Sequence, residues 1–170
     1  MISLNWLPET AYLYVLIFAR VGSILMLIPA LGEQVIPARM RLSFALVFAA
    51  VLFPLVSPTL PPLSGDVMQV MIYLFHEIAI GLILGAITRL VTLAASVAGA
   101  TIAFQIGLSG ALGADPANGG IQGVIIGSFL SMLGVALIFA TDLHHVALFA
   151  IRDSYMIFSP SEPIMWGDAA

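Results

Sequence analysis

The sequence contains no cysteine, which excludes both a disulfide framework and a thiolate metal site. It also contains no lysine, and acidic residues outnumber its arginines to give a net charge of −4. A surface that binds phosphates needs clustered Lys and Arg, so the composition argues against nucleic acid as a partner. The first residues carry Glu9 and no positive charge before the first apolar run. They therefore do not fit a cleavable signal peptide, and we expect the first segment to remain in the mature protein.

Charge of either sign is scarce throughout the chain. Only 8% of the residues are charged, against about 25% in ordinary soluble domains. Hydrophobic residues make up 61%, and the mean hydropathy is +1.13. This composition excludes a water-soluble globule and predicts a chain embedded in the lipid bilayer. We expect residues 1–170 to form a single helical membrane domain that crosses the membrane several times.

Apolar stretches of helix length follow one another along the chain. They are Ala11–Leu31, Leu42–Val56, Val67–Ile87, Leu90–Leu112, Ile121–Thr141 and Leu143–Phe158. Four of them reach the ~20 residues that cross hydrocarbon, while the second and sixth are shorter and we expect them to be tilted, interfacial or buried. Alternating strands of ~10 residues, which a membrane barrel needs, are not recognisable. The sequence therefore predicts an all-α integral membrane protein with about 4–6 hydrophobic helices, some of them broken or kinked.

Turn-forming residues separate several of these stretches. They concentrate at 32–37, 57–62 and 113–120, which we predict to be loops. Arg39 and Arg41 lie in the first connection, between the predicted loop at 32–37 and the second stretch, and Arg89 lies in the predicted junction between the third and fourth stretches. The alternate connections carry acidic residues and no arginine, so the positive-inside rule places the N-terminus outside.

Two charged residues lie deep inside apolar stretches. Arg20 is near the middle of the first stretch, where an arginine costs roughly 2.5 to 3.5 kcal/mol on insertion scales. Glu77 is midway along the third stretch. An ion or proton path is one interpretation of these charges, and a structural pair buried between helices is the other. We favour the structural pair, because each charge needs a partner in apolar surroundings.

Small residues recur at four-residue spacing, which places them on one face of a helix. Gly81 and Gly85 form one such pair, Gly99 lies in a second stripe, and Gly123 and Gly127 lie in a third. Small side chains on one face allow two helix backbones to approach closely. We therefore predict that these glycines lie at helix contacts.

Two patterns suggest chemistry, and we interpret both as structural. Ser109, in the G-x-S-G sequence at 107–110, could pair with His144 or His145 as in rhomboid intramembrane proteases, but the early histidine and asparagine of those enzymes are missing. Asp142 and the two histidines could suggest a metal site, but no second ligand group has the right spacing. The sequence thus predicts no catalytic residue, no metal site and no cofactor.

The order of several features resembles the FliR family of flagellar export proteins and its type III secretion counterparts. These features are Arg20, Ile28-Pro29, Pro37, Arg39, Arg41, Pro54, Glu77, Gly81, Gly85, Gly99, Gln105 to Ser109, Asp115-Pro116 and His144. The resemblance covers almost the whole chain. Family members usually continue further, ending in a hairpin that resembles the partner FliQ. The chain is therefore expected to be the N-terminal and central part of such a protein.

The resemblance implies a non-enzymatic, channel-forming subunit of the flagellar type III export gate. Such a subunit lies in the bacterial inner membrane at the flagellar basal body. It assembles with FliP- and FliQ-like membrane proteins, with an FlhB-like subunit as a further candidate partner, and helps unfolded proteins leave the cytoplasm. A flagellar and an injectisome system fit the sequence equally. The alternative is a small solute or ion transporter, based on Arg20, Glu77 and the broken helices, although no convincing internal repeat is found.

A glycine-rich segment after the fourth apolar stretch is a candidate pore gate. In the family this segment is often rich in Phe and plugs the pore, whereas here it has smaller side chains. Glycines disfavour helix in it, and Pro116 disfavours helix at the residue before it. The predicted gate residues are Gly107, Leu108, Ser109, Gly110, Leu112, Asp115 and Pro116. The alternative is an ordinary turn between helices.

Overall fold

The chain is described by a computed structural model that covers residues 7–29, 31, 36–106 and 121–160, the first five of the last range as backbone only. Five α-helices lie in these ranges. They are α1 (Leu7–Leu27), α2 (Ala38–Val56), α3 (Val67–Gln105), α4 (Ile121–Ala140) and α5 (Leu143–Ile157). Because the described ranges contain helices and no strand, the prediction of an all-α fold is confirmed.

Helix α2 is longer than the second apolar stretch. It begins after Pro37, whose φ of −54° suits the residue ahead of a helix, and so the segment with Arg39 and Arg41 is helical. Pro54 lies near the end of α2, where it removes one backbone hydrogen bond, and the α-helix ends two residues later at Val56. A short 3₁₀ turn at Ser57–Thr59 follows it. The combined segment Ala38–Thr59 has 22 residues, enough to cross a membrane.

Helix α3 corrects the predicted junction between the third and fourth apolar stretches. It runs through Arg89 without interruption for 39 residues, or about 58 Å, against about 30 Å of hydrocarbon. Residues 86–98 contain neither Gly nor Pro, so no helix-ending residue lies next to Arg89. Arg89 is an exposed residue within a helix and not a loop residue. None of the three arginines behind the predicted orientation in the membrane lies in a loop, because Arg39 and Arg41 lie in the first turn of α2 and Arg89 lies inside α3.

Three helices are long and apolar enough to span a membrane. They are α1, α2 with its 3₁₀ turn, and α3. The part of α4 from Ile126 on and α5 pass the same test only as a bent pair, which would make a fourth span. At this break Asp142 has a φ of 58°, a left-handed conformation that turns the chain between the two helices. The prediction of a helical membrane protein with broken segments is thus confirmed.

The chain forms two compact units. The first contains the chain up to Ala86 and from Ala147 on, and the second contains Ile87–Val146. In the first unit, α1 packs against α2, with Ala45, Ala49 and Leu52 of α2 in the core beside Leu16 and other buried residues of α1. The C-terminal part of α5 adds Ile151 and Tyr155 to the same core. A single domain over residues 1–170 stays a prediction.

Candidate functional site

The first unit contains a completely buried ion pair. Arg20 of α1 and Glu77 of α3 both have 0% of their surface exposed. The Nε of Arg20 donates to Glu77 Oε2 at 2.6 Å, and the Nη2 donates to Glu77 Oε1 at 2.9 Å. Two parallel bonds of this kind make a bidentate pair, the strongest arrangement of these two groups. The structure thus brings the two intramembrane charges together.

The remaining N–H groups of Arg20 donate to the end of α5. Its Nη1 donates to the backbone carbonyls of Ser154 (3.0 Å) and Phe158 (3.1 Å), and its Nη2 donates to the Phe158 carbonyl (3.1 Å). The ring of Tyr155 lies beneath the guanidinium, 4.1 Å from Cζ. All five guanidinium N–H groups therefore have an acceptor. We call Arg20, Glu77, Ser154, Tyr155 and Phe158 the Arg20 centre.

Helical periodicity places Arg20 in this position. Leu16, Arg20, Ile24 and Ile28 are separated by four residues each, and all four are buried. The first three lie on one face of α1, and Ile28 follows one residue beyond its end, where its N–H still donates to the Ile24 carbonyl. The chain therefore cannot turn Arg20 to lipid without also exposing these neighbours. A buried arginine needs both a counter-charge and acceptors for its other N–H groups. Helices α3 and α5 supply these.

Glycines bring the backbones of α1 and α3 together beside the Arg20 centre. A Cβ added to Gly81 would lie 2.7 Å from the Arg20 carbonyl oxygen and 2.7 Å from Ser23 Cβ. A Cβ added to Gly85 would lie 2.7 Å from Leu27 Cβ. These distances leave no room for a side chain. The close approach allows the Glu77 carboxylate, one helical turn before Gly81, to reach Arg20.

Helices α3 and α4 make a comparable contact in the second unit. A Cβ on Gly99 would lie 2.5 Å from Gly127 Cα and 2.6 Å from its nitrogen. The hydroxyl of Ser131 donates to the Thr92 carbonyl at 3.4 Å along the same contact. The side chain at position 123 lies outside the described residues, so its packing role stays a prediction.

The cluster at the start of α5 holds three potential metal ligands. The ligand atoms of Asp142, His144 and His145 lie within 4.8 Å of one another, and the two histidine rings are 4.1 Å apart. Asp142 and His145 are exposed to solvent. The cluster also lies at a helix N-terminus, whose dipole disfavours a bound cation. We therefore assign no metal to it.

Several predicted residues lie outside the described ranges. The gate residues of the segment 107–116 are among them, and so is Ser109, whose separation from His144 is therefore untested. The contacts of Arg20 with α5 were not predicted from the sequence at all. A general signal for them existed, because the last carbonyls of every helix lack intrahelical donors. Nothing in the sequence indicated which donor would bind the last carbonyls of α5.

Comparison with known proteins identifies a family for this chain. Residues 11–169 match the bacterial export proteins, family 1. The chain is 42% identical over 159 residues to the flagellar biosynthetic protein FliR of Caulobacter vibrioides, an alignment that covers 94% of this chain and 63% of that protein. It is 31% identical over 146 residues to FliR of Bacillus subtilis, covering 86% of this chain and 55% of that protein. The chain thus spans less than two thirds of the length of either relative. With its apolar helices and this match over nearly its whole length, the chain belongs to the bacterial export proteins, family 1.

Proposed function

We propose that this chain is a membrane subunit of the flagellar type III protein export gate in the bacterial inner membrane. In this role it helps form the channel through which unfolded flagellar proteins leave the cytoplasm. The family match over residues 11–169 is the observation that carries the proposal. The names of both relatives support the flagellar system over an injectisome.

The exposed surface of α3 supports assembly with other membrane proteins. Large apolar side chains along this helix, among them Met68, Phe75, Val91 and Phe104, are at least 66% exposed within the chain. Such side chains need lipid or other apolar helices as neighbours. The partners proposed for these faces are FliP- and FliQ-like subunits, with an FlhB-like subunit as a further candidate.

The Arg20 centre argues against the alternative of a solute transporter. A transporter uses charged groups near the membrane midplane to bind its substrate. Here the five N–H groups of Arg20 already donate to Glu77 and to two carbonyls of the chain. Binding a solute through this arginine would require breaking those bonds. We therefore interpret the two charges as structural.

We further propose that residues 107–116 form the gate of the export channel. Irregular backbone at membrane depth is tolerated only where it is buried in protein or lines an aqueous cavity. Leu108 and Leu112 would block small solutes by dewetting a narrow constriction, and the glycines would let the segment yield to a passing chain. Deleting residues 108–113 should then raise ion leak through an assembled complex. An assembled and ion-tight deletion variant would contradict the gate.

A chimera tests the proposed function directly. The 159-residue region of Caulobacter vibrioides FliR that aligns with this chain is replaced by this chain, and the chimera is expressed in cells that lack FliR. We expect swimming and export of flagellar proteins to recover at least in part. Purification in mild detergent with the FliP and FliQ subunits, followed by mass measurement, should show the chimera in the complex.

A matched variant shows whether recovery depends on the fold of this chain. The same chimera with Gly99→Leu should insert into the membrane, because leucine is apolar, but should not enter the complex, because Gly99 faces backbone. A chimera that is present in the membrane and restores neither export nor complex formation would contradict the proposal.

A further inference from the structure

The donors of Arg20 are divided unequally between its two partners. Two of its five N–H groups bind the Glu77 carboxylate, and three bind backbone carbonyls at the end of α5. Phe158 lies one residue beyond the end of α5, and its carbonyl accepts both from Nη1 and from Nη2. The Ser154 carbonyl also accepts the helical bond from the Phe158 N–H at 2.9 Å, so Arg20 is its second donor. Carbonyls at the C-terminal end of a helix attract positive charge, and the last of them in general lack intrahelical donors.

We propose that Arg20 acts as the C-terminal cap of α5 and thereby docks the end of that helix onto α1 and α3. Arg20 is in this sense a positioning residue, with Glu77 holding the guanidinium in the orientation that reaches Ser154 and Phe158. Two further contacts also hold the end of α5 against α1. The Tyr155 ring stacks on the guanidinium, and the Tyr155 hydroxyl donates to the Ile17 carbonyl of α1 at 3.4 Å. The inference concerns contacts within the first unit and does not depend on the proposed export function.

A cap and a simple ion pair respond differently when both charges are removed. A buried ion pair replaced on both sides by apolar side chains of similar size often leaves stability unchanged or raised. In the Arg20 centre such a replacement also removes the donors of the Phe158 carbonyl. It leaves that carbonyl at the helix end without the N–H groups that satisfied it. The double change Arg20→Met with Glu77→Met should therefore keep α1 and α3 together and release the end of α5.

Exchanging the two charges also distinguishes a helix cap from a simple ion pair. Arg20→Glu with Glu77→Arg restores one positive and one negative charge. The carboxylate at position 20 would now face the carbonyls of Ser154 and Phe158, which it can only repel. A simple pair would recover from the swap, whereas the cap should not.

Single cysteines measure docking, because the chain has no cysteine of its own. Ser154→Cys lies on the docked face of α5, where the residue is 3% exposed, and Ala49→Cys lies in the α1–α2 core, where it is 0% exposed. Ala150→Cys, one turn before Ser154, is an exposed control on α5. Each is introduced into the otherwise unchanged chain, into the double methionine variant and into the charge swap. Labelling by N-ethylmaleimide is then followed in mild detergent.

We expect labelling at position 154 to accelerate about tenfold or more in both variants, the effect of losing at least one hydrogen bond to a charged group. Position 150 should label rapidly throughout, and position 49 should stay protected. Continued protection of position 154 in the double methionine variant, or its recovery in the charge swap, would overturn the proposal in favour of a simple ion pair. Equal exposure of positions 154 and 49 would also overturn it, because Arg20 would then hold the whole unit and not α5 in particular.

Discussion

The contact between Gly99 and Gly127 gives a quantitative prediction for a single added methyl group. In Gly99→Ala the new Cβ would lie 2.5 Å from Gly127 Cα, 2.6 Å from Gly127 nitrogen and 2.9 Å from the carbonyl carbon of Ile126. All three are backbone atoms, so no side-chain rotation can relieve the overlap. Ordinary contact for a carbon atom begins near 3.4 Å. Helices α3 and α4 must therefore separate by roughly 0.9 Å at this point.

The expected cost follows from this separation. A gap of 0.5–1 Å forfeits about a quarter to a half of the dispersion energy between the facing atoms, and overpacked sites typically lose about 1–3 kcal/mol. Against this, alanine favours a helix over glycine by about 1 kcal/mol. Because rigid backbone faces the new methyl group, we expect the loss to exceed the gain, with a net destabilisation of up to about 2 kcal/mol.

Heating in mild detergent, followed by size-exclusion chromatography, measures the effect as the temperature at which half of the protein is lost. Gly134→Ala is the matched control, since α4 has open space around Gly134 within 4 Å. That variant should be as stable as the unchanged chain or more so. If Gly99→Ala and Gly134→Ala behaved alike, the close contact of α3 with α4 would be refuted.

Three further substitutions test contacts of the first unit in the same assay. Gly81→Ala should destabilise by up to about 2 kcal/mol after the helix preference of alanine is subtracted, because its Cβ meets the Arg20 carbonyl at 2.7 Å. Gly22→Ala, whose Cβ would be 3.8 Å from Phe18, should be tolerated, and equal behaviour of the two would contradict the α1–α3 contact. Tyr14→Phe removes the 2.8 Å hydrogen bond from the Tyr14 hydroxyl to the Leu46 carbonyl and should lower the free energy of unfolding by about 0.5–1.5 kcal/mol. An unchanged stability would show that this bond between α1 and α2 contributes nothing. Arg20→Lys keeps the charge but offers three donors on one nitrogen, so we expect stability to fall by about 1–3 kcal/mol. Unchanged stability would show that the positive charge alone is sufficient.

The turn-forming residues at 57–62 predicted the end of α2 correctly, whereas the junction predicted at Arg89, where such residues are absent, was wrong. The α-helix α2 ends at Val56, two residues ahead of Pro58, and a 3₁₀ turn follows over the first part of the predicted loop. Near Arg89 the only signal for a junction was a polar pair in an apolar run, and α3 continues through it. A single exposed arginine costs a helix little, because its side chain can reach water or another subunit. The number of helices was therefore easier to predict than the position of every break.

The sequence indicated that Arg20 and Glu77 would pair, but it did not indicate the backbone carbonyls that Arg20 also binds. Arg20 and Glu77 are recognisable because charges are rare in apolar runs and each requires compensation. The carbonyls of Ser154 and Phe158 carry no sequence signal, since every residue has a carbonyl group. They become ligands of Arg20 only because α5 ends beside α1, more than 130 residues later in the chain.

By itself the sequence determined that this protein is an all-α membrane protein. The apolar composition indicates that the chain lies in the lipid bilayer. In hydrocarbon every backbone group must be hydrogen-bonded within the protein, which only helices and closed barrels achieve. Because the sequence has no recognisable barrel strands, helices remain. The sequence also determined which small residues share a helix face, since that follows from the helical repeat. Only the tertiary structure decided which faces meet, that Gly99 lies against Gly127, and that Arg20 binds the end of α5 as well as Glu77. Those choices depend on packing between residues far apart in the chain, and a local pattern carries no information about which distant partner fits.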